Sequence, residues 1–314
     1  MSGAPIRLDR FLRTWLGACI GRRRLAAMLA AGDVRVNGRP AAKGTLLRAG
    51  DEVAVYAWPE EPRLVPVGAP LPIIHVDADL VAVDKPPGMP STGGPSAGPS
   101  VAAILLARFP EMAAIDPQRA AGLVHRLDTG TSGILIAARH PAAYQRLRRE
   151  FTHKAVEKDY LAVVRGRLAQ PGSIARALRR DPRSRSRMVP ARPGAPSGWP
   201  ARTDLVPLDS AAGLSLVRLR MRTGVTHQLR VHMAMLGHPI LGDARYGRHV
   251  ATGTPVPGVE RDAKAAGGHY LHAVALRFDT AGFPHELRTS FPSHWQPLFE
   301  RLGWPATVRH SGAS

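Results

Sequence analysis

A single carboxylate, Asp128, stands between a basic pair and a run of small turn residues in segment 121–139, AGLVHRLDTGTSGILIAAR. His125 and Arg126 come just before it, and the apolar stretches on both sides are typical of strands. A carboxylate on a turn between strands, with cations beside it, stays ionised and faces a cleft, where it can act as a nucleophile or stabilise positive charge. The same pattern also fits an Asp that caps its own turn. The segment by itself leaves both interpretations open.

Three blocks of sequence follow one another between about residue 71 and residue 300. They are HRLD at 125–128 with TSG at 131–133, KDYLAVVRG at 158–166, and TGVTHQLRVH at 223–232, which continues into GHPILGD at 237–243 and YG at 246–247. In order and content these blocks resemble the pseudouridine synthases that modify large-subunit ribosomal RNA. We therefore expect an isomerase that converts uridine in RNA to pseudouridine.

The resemblance implies a catalytic role for three residues of these blocks. Asp128 takes the place of the family's catalytic Asp, and Arg230 takes the place of the Arg that pairs with it. An opposing guanidinium would keep the carboxylate ionised in a desolvated pocket. Tyr160 takes the place of the active-site Tyr that stacks on the target base. Without the resemblance, Tyr160 would be read as a half-buried strand residue, and Arg230 as the partner of any surface acid.

Three further residues of the blocks are expected beside the RNA. Arg126 is placed to fill the gap that the target uridine leaves when it is flipped out of its stack. His125 is expected to be a hydrogen-bonding residue behind it, and Lys158 to contact phosphate or support the cleft. The chain departs from the family pattern at Val225, where an Arg is usual, so one cation near the RNA path or the active-site wall is lost.

The expected reaction sets few demands on cofactors. It breaks the N1–C1′ bond of uridine, turns the uracil and joins C5 to C1′ without any redox change. The chain has no Gly-rich fingerprint for a dinucleotide or a phosphate. His227 and His232 are five residues apart and no HExxH pair occurs, so the sequence does not indicate a metal site. We expect neither a cofactor nor a metal.

The composition indicates a nucleic-acid partner. The 314 residues carry a formal net charge of +19 at pH 7, with an isoelectric point near 11.4, which is the electrostatic signature of a polyanion binder. No apolar run approaches the roughly 20 residues that span a bilayer, and the lone Cys19 can form no internal disulfide. We expect a cytoplasmic protein whose partner is RNA of the 23S ribosomal type, with no membrane association and no obligate protein partner.

Changes in composition predict two domains. Residues 1–58 are expected to form a small module, 59–70 a stiff Pro-rich linker, 71–305 the catalytic domain and 306–314 a tail.

The small module shows two helical patterns, then a Val-Arg-Val strand at 34–36 and an Asn-Gly turn. It resembles the RNA-binding module of ribosomal-protein origin that often precedes these synthases. In that resemblance Arg22, Arg23 and Arg24, at the start of the second helix, face RNA.

The predicted fold class is α+β: a catalytic domain with a largely antiparallel mixed sheet and a central RNA-binding cleft, plus a small N-terminal α/β module. Short strand patterns without regular βαβ alternation support it, and 141–151 is the clearest helical pattern. The stretch 179–202, dense in Arg and Pro, is expected to be irregular. The candidate strands are 80–84, 134–138, 160–164, 214–222 and 269–278.

Two other functions stay open on the sequence alone. A non-catalytic RNA-binding or ribosome-assembly factor could keep the same scaffold, although it would not need Asp128, Tyr160 and Arg230 together. A metal-dependent nucleic-acid hydrolase is disfavoured because it would need a cluster of acidic residues to bind the metal, and the sequence shows no such cluster. The sequence also leaves open which uridine is modified, whether the RNA is ribosomal or transfer RNA, and whether Asp128 attacks the sugar or the base.

Overall fold

The computed structural model describes residues 5–16, 22–57, 64–93, 98–115, 120–153, 155–192, 194, 198–247, 258, 268–280 and 283–304. The chain divides into two compact units, Met1–Pro62 and Arg63–Ser314. Cys19, the first part of the predicted linker and the predicted tail lie outside the described residues.

The smaller unit combines two helices with short strands. These are β1 Ile6–Arg7, α1 Leu8–Trp15, α2 Arg22–Ala31, β2 Val34–Val36, β3 Arg39–Pro40, β4 Leu46–Leu47 and β5 Val53–Val55. Its core forms because apolar residues recur at helical spacing, and Leu8, Leu12 and Met28 are fully buried. Between β2 and β3, Asn37 and Gly38 have φ of 51° and 76°, as a two-residue hairpin turn requires.

A nine-stranded sheet organises the larger unit, in the order β10-β13-β14-β9-β15-β8-β7-β6 with β16 paired to β15. Its strands are β6 Ile73–Val76, β7 Leu80–Lys85, β8 Ser132–Ala138, β9 Glu157–Arg165, β10 Gly172–Ala175, β13 Arg202–Ala211, β14 Leu214–Met221, β15 Leu271–Thr280 and β16 Phe283–Arg288. Two further strands of the larger unit, β11 Leu178–Asp181 and β12 Ser184–Pro190, pair with each other outside this sheet. Within the sheet, β15 and β8 pair in parallel, and the other neighbours are antiparallel. The predicted α+β fold with a largely antiparallel sheet is confirmed, and each of the five candidate strands overlaps an observed one.

The parallel contact between β8 and β15 explains one glycine of the motif. Gly133 has a φ of 108°, and a Cβ at this position would stand 2.2 Å from the Ala273 carbonyl oxygen. Any other residue would push β15 away from the strand that leads out of the Asp128 loop.

Helices cover both faces of this sheet. They are α3 Val101–Arg108, α4 Pro141–Thr152, α5 Gln228–Met235 and α6 Gln296–Leu302, with 3-10 turns at Pro110–Ala114 and Ser293–Trp295. Side chains alternate along β9, so Tyr160 joins one buried cluster while Leu161 joins another, which includes Phe299 of α6. None of the helices that the structure describes is long and apolar enough to cross a membrane.

The expectation of an irregular stretch at 179–202 is wrong over residues 179–190. Strands β11 and β12 form a two-stranded hairpin there, and β13 begins at Arg202. Apolar alternation is weak in this hairpin because only a few side chains, Leu178 and Met188 among them, are buried against the rest of the unit. In the predicted linker, Leu64 is buried and the Val67 N–H donates to the Ala103 carbonyl, so residues 64–70 pack against α3.

Candidate active site

Asp128 lies in a loop, residues 124–131, that leads into β8. Ser91 ties this loop down, because its hydroxyl donates to the Leu127 carbonyl at 2.8 Å and accepts from the Leu127 N–H at 3.0 Å. The loop closes in a turn in which the Thr131 N–H donates to the Asp128 carbonyl at 3.0 Å. The backbone on both sides of Asp128 is therefore fixed by hydrogen bonds.

A buried lysine that the sequence analysis missed holds the same loop. Lys85, at the end of β7, is fully buried, and its Nζ donates to the carbonyls of Pro86, Met89 and Thr129 at 2.7–3.1 Å. Burial lowers the pKa of Lys85 to about 7, although the charge of Asp128 acts in the opposite direction. The contact with Thr129 spans 44 residues of sequence, so no local sequence pattern predicts it.

Arg230 joins Asp128 to a second aspartate, Asp243. Its Nη1 donates to Asp128 Oδ2 at 2.8 Å, while Nε and Nη2 donate to the two Asp243 oxygens at 2.7 and 2.9 Å. Burial acts to raise the pKa of Asp128, but the charge that His227 carries when it is protonated, together with the charge and hydrogen bond of Arg230, outweighs this effect and holds the pKa below its usual value. Asp128 is thus an anion in a mostly desolvated position.

The third motif places Arg230 through a turn that precedes α5. Gln228 is buried, and its side-chain oxygen accepts from the Thr223 hydroxyl and the Val225 N–H at 2.7 and 3.2 Å. Its amide nitrogen donates to the Arg202 carbonyl at 2.9 Å. These bonds fix the start of α5 against β13, and Arg230 follows two residues later with its side chain directed to Asp128.

Strand β9 supplies Lys158 and Tyr160, two residues apart and therefore on the same face of the sheet. Tyr160 is 5% exposed, and burial together with the charge of Asp128 raises the pKa of its phenol far above the usual value. The Lys158 ammonium lies 5.0 Å from the centre of the Phe151 ring. Burial lowers the pKa of Lys158 to about 8, and no carboxylate among the described residues forms an ion pair with it.

A cavity of about 300 Å³ opens over these side chains. Six of the sequence-predicted site residues line it together: Asp128, Tyr160, Arg230, Arg126, His125 and Lys158. Arg126 is exposed, whereas His125 accepts the Ile136 N–H at its Nε2 and stacks on Phe151. Val225, where the family pattern has an Arg, also lines the cavity and packs against Leu178 and its neighbours.

The remaining predicted site residues belong to the smaller unit. Arg24 is half-buried on α2, and the side chains of Arg22 and Arg23 lie outside the described residues. Across the part of the chain that the structure describes, no group of three or more His, Cys, Asp or Glu side chains is placed to hold a metal ion. The expected independence from metals and cofactors stays a prediction.

Comparison with known proteins identifies the family. The RNA pseudouridylate synthase family matches residues 79–235. The ribosomal large subunit pseudouridine synthase D of Vibrio parahaemolyticus is 34% identical over 286 residues, which cover 87% of this chain and 83% of the relative. An uncharacterized RNA pseudouridine synthase of Chloroflexus aurantiacus is 38% identical over 304 residues, or 94% of this chain and 90% of the relative. Human RNA pseudouridylate synthase domain containing 1 has a similar structure, with a TM-score of 0.58 and 31% identity over 76% of this chain and 90% of the human one.

The chain therefore belongs to the RNA pseudouridylate synthase family. It is an isomerase that acts on RNA and converts uridine to pseudouridine, as the motifs predicted. None of these findings favours the non-catalytic alternative.

Proposed function

We propose that this enzyme modifies uridine in large-subunit ribosomal RNA, with Asp128 as the reacting carboxylate. Relatives from Vibrio parahaemolyticus and Xanthomonas campestris that carry the name ribosomal large subunit pseudouridine synthase D support this substrate. The observation that carries the role of Asp128 is its pairing with Arg230 inside a cavity that Tyr160 also lines. We propose further that the enzyme is cytoplasmic and needs no cofactor, metal or obligate protein partner.

The cavity provides an anion where the isomerisation needs one. The N1–C1′ bond breaks, the C5–C1′ bond forms, C5 loses its proton and N1 gains one, so nothing is oxidised. Arg230 holds Oδ2 of Asp128, and Oδ1 accepts no hydrogen bond from the described residues. That oxygen can approach the sugar or the base and stabilise or trap the fragment left by bond cleavage.

Asp243 gives this arrangement its rigidity. It binds the Arg230 guanidinium through both of its oxygens, in the paired geometry that fixes the plane of an Arg side chain. The third donor, Nη1, then has one direction, and Asp128 lies in it. An Arg shared between two carboxylates orients the reacting one without saturating it.

Tyr160 keeps its proton near neutral pH, because its pKa is raised and the phenolate does not form. We assign to it a stacking contact with the target uracil and, where a hydrogen bond forms, the role of donor. A phenolate base at this position would require removing the proton beside an anionic Asp128, which the electrostatics oppose.

We assign to Lys158 the role of binding a phosphate next to the target nucleotide. A cation that is 7% exposed and has no acidic partner among the described residues loses solvation without compensation, and an entering anion would restore it. Arg126 is exposed and lines the same cavity, and we assign to it the role of filling the gap that the flipped uridine leaves in the stack. His125 supports both, through its stacking on Phe151 and its bond to β8.

The smaller unit is proposed to add affinity for RNA rather than chemistry. Its second helix begins with Arg22, Arg23 and Arg24, and the resemblance of its sequence to a ribosomal-protein module supports phosphate contacts for these residues. The predicted boundaries at residues 58, 70 and 305 belong to the same proposal.

A pseudouridine map of total RNA tests the proposed function. Cells without the gene should lose one or more pseudouridines in large-subunit ribosomal RNA, and wild-type protein should restore them. D128N should not restore them, whereas D159N should, because Asp159 on β9 pairs with Arg220 and Arg277 and does not line the cavity. Sites lost only from transfer RNA would overturn the proposed substrate, and restoration by D128N would overturn the role of Asp128.

A further inference from the structure

His227 stands beside Asp128 and has no part in the mechanism above. It lines the cavity, and its Nε2 lies 3.8 Å from Asp128 Oδ1, the oxygen that Arg230 does not bind. Its backbone has a φ of 56°, in the left-handed region, where a non-glycine residue is strained unless its surroundings hold it. The contacts around His227 must therefore outweigh this strain.

Tyr246 supplies two contacts to the His227 side chain. The Tyr246 hydroxyl accepts the Met188 N–H at 2.9 Å and lies 2.8 Å from His227 Nδ1. The two rings also meet edge to face, with centres 5.6 Å apart. Burial raises the pKa of Tyr246, so the hydroxyl keeps its proton, and the direction left for that proton is toward Nδ1.

Both ends of the imidazole select the same tautomer. Burial lowers the pKa of His227, so the ring is neutral at pH 7 and carries one proton. With Nδ1 accepting from Tyr246, that proton is on Nε2. A protonated Nε2 facing a carboxylate is attracted to it, whereas a bare Nε2 lone pair would be repelled.

We propose that His227 is a positioning residue for Asp128, whose Nε2–H closes onto Oδ1 when uridine fills the cavity, and that Tyr246 keeps the proton on Nε2. This inference rests on the proposed role of Asp128. The separation of 3.8 Å is too long for a hydrogen bond, and such contacts tighten in substrate complexes. Oδ1 has two lone-pair directions, so it can accept from His227 with one and meet the substrate with the other.

The variants H227N, Y246F and the double variant test this relay. Asn tolerates the left-handed backbone, so H227N keeps the turn before α5 while removing the Nε2–H donor. On a short RNA we expect H227N to lower kcat on the order of 10- to 100-fold with little change in KM, because a loosened carboxylate misplaces the reacting atom. Y246F should lower kcat less, and the double variant should be no worse than H227N.

Nitrogen-15 NMR of the RNA-free protein provides a readout that a merely structural role would not move. Two-bond correlations should show His227 protonated at Nε2 in the wild type, and a mixture of tautomers in Y246F. The spectrum of H227N identifies the His227 signals among the 13 histidines. Protonation at Nδ1 in the wild type, losses of kcat that multiply in the double variant, or an H227N enzyme as fast as wild type would each overturn the inference.

The failure of this inference is distinguishable from failure of the proposed function. If D128N turns over, the role of Asp128 is wrong whatever His227 does. If D128N is inactive while H227N matches the wild type, the proposed function stands and His227 has no positioning role.

Discussion

Two groups of arginine and aspartate side chains illustrate how similar residues acquire different tasks. In the first, which borders the cavity, one guanidinium is shared by two carboxylates, Asp128 and Asp243. In the second, around β9, one carboxylate, Asp159, binds two guanidinium groups, those of Arg220 and Arg277, at 2.7–3.0 Å. Both groups contain short, charge-assisted hydrogen bonds, so bond quality does not separate them.

The two groups differ in whether the carboxylate keeps an oxygen that accepts no hydrogen bond. Both oxygens of Asp159 accept hydrogen bonds from Arg side chains, so the role of this carboxylate is to stabilise the fold. Asp128 binds Arg230 with one oxygen, and the other accepts no hydrogen bond from the residues that the structure describes. A carboxylate with an unused oxygen beside a cavity can do chemistry, whereas a saturated one stabilises structure.

Removing the arginine of each group should give the largest contrast. We expect R230M to lower kcat about 10²- to 10³-fold, because the oriented donor that fixes Asp128 is lost. R220M is the matched control, since Arg220 binds Asp159 through two nitrogens at 2.7 and 3.0 Å, and kcat should stay within about 2-fold of wild type. The rates are measured at saturating short RNA, below the melting temperature of each variant. Equal losses in the two variants would erase the distinction between the groups.

The cation on β9 sharpens the same comparison, because Lys158 has no acid partner within the described part of the chain. We expect K158M to raise KM about 10-fold, the value of one charge-assisted contact to phosphate, with little change in kcat. In the wild type, the ammonium is present below its pKa of about 8 and is lost as the pH rises through that value, so KM should rise above pH 8. K158R, which stays charged, should show a flat KM over the same range.

A scan of the RNA with single methylphosphonates locates the phosphate that Lys158 binds. The neutral linkage should raise KM at one position in the wild type and have no effect there in K158M. A penalty at that position that is the same in both proteins would show that Lys158 supports the cleft instead.

The smallest effect on catalysis is expected at the saturated carboxylate. D159N should lower the free energy of unfolding by about 2 kcal/mol, since it weakens the set of three hydrogen bonds to two partly exposed arginines, and should leave kcat unchanged. For a unit of this size that corresponds to a fall in melting temperature of roughly 5 °C. A stable D159N protein with a reduced kcat would contradict the structural assignment of Asp159.

The sequence could predict the residues of the site better than their partners. Asp128, Tyr160 and Arg230 could be named because each lies in a block whose spacing is specific, and the long strands around them have clear apolar patterns. The sequence block 237–243 contains Asp243, but nothing local shows that it binds Arg230. The pattern of one strand or one turn carries no information about a contact made across the sheet.

His227 and Lys85 show the same limit. Both residues are visible in the sequence, but His227 is one of several histidines and Lys85 stands at the end of a predicted strand, so neither belongs to a pattern that marks it as functional. Their importance comes from contacts with residues far along the chain, His227 with Asp128 and Lys85 with Thr129. The hairpin at 178–190 was missed for a related reason, because few of its described residues are buried and its sequence is rich in Arg.

Tritium release from RNA labelled at C5 of uridine tests the central claim most directly. Under single-turnover conditions with enzyme in excess, D128N should release no tritium on the time scale of the wild type, because an amide keeps the shape of the carboxylate but cannot act as an anion or nucleophile. Its affinity for the same RNA should stay within about 3-fold of wild type, since affinity comes mainly from cations that bind phosphate and a carboxylate is not one of them. Residual release above a few per cent by a pure D128N enzyme would show that another group performs the reaction assigned here to Asp128.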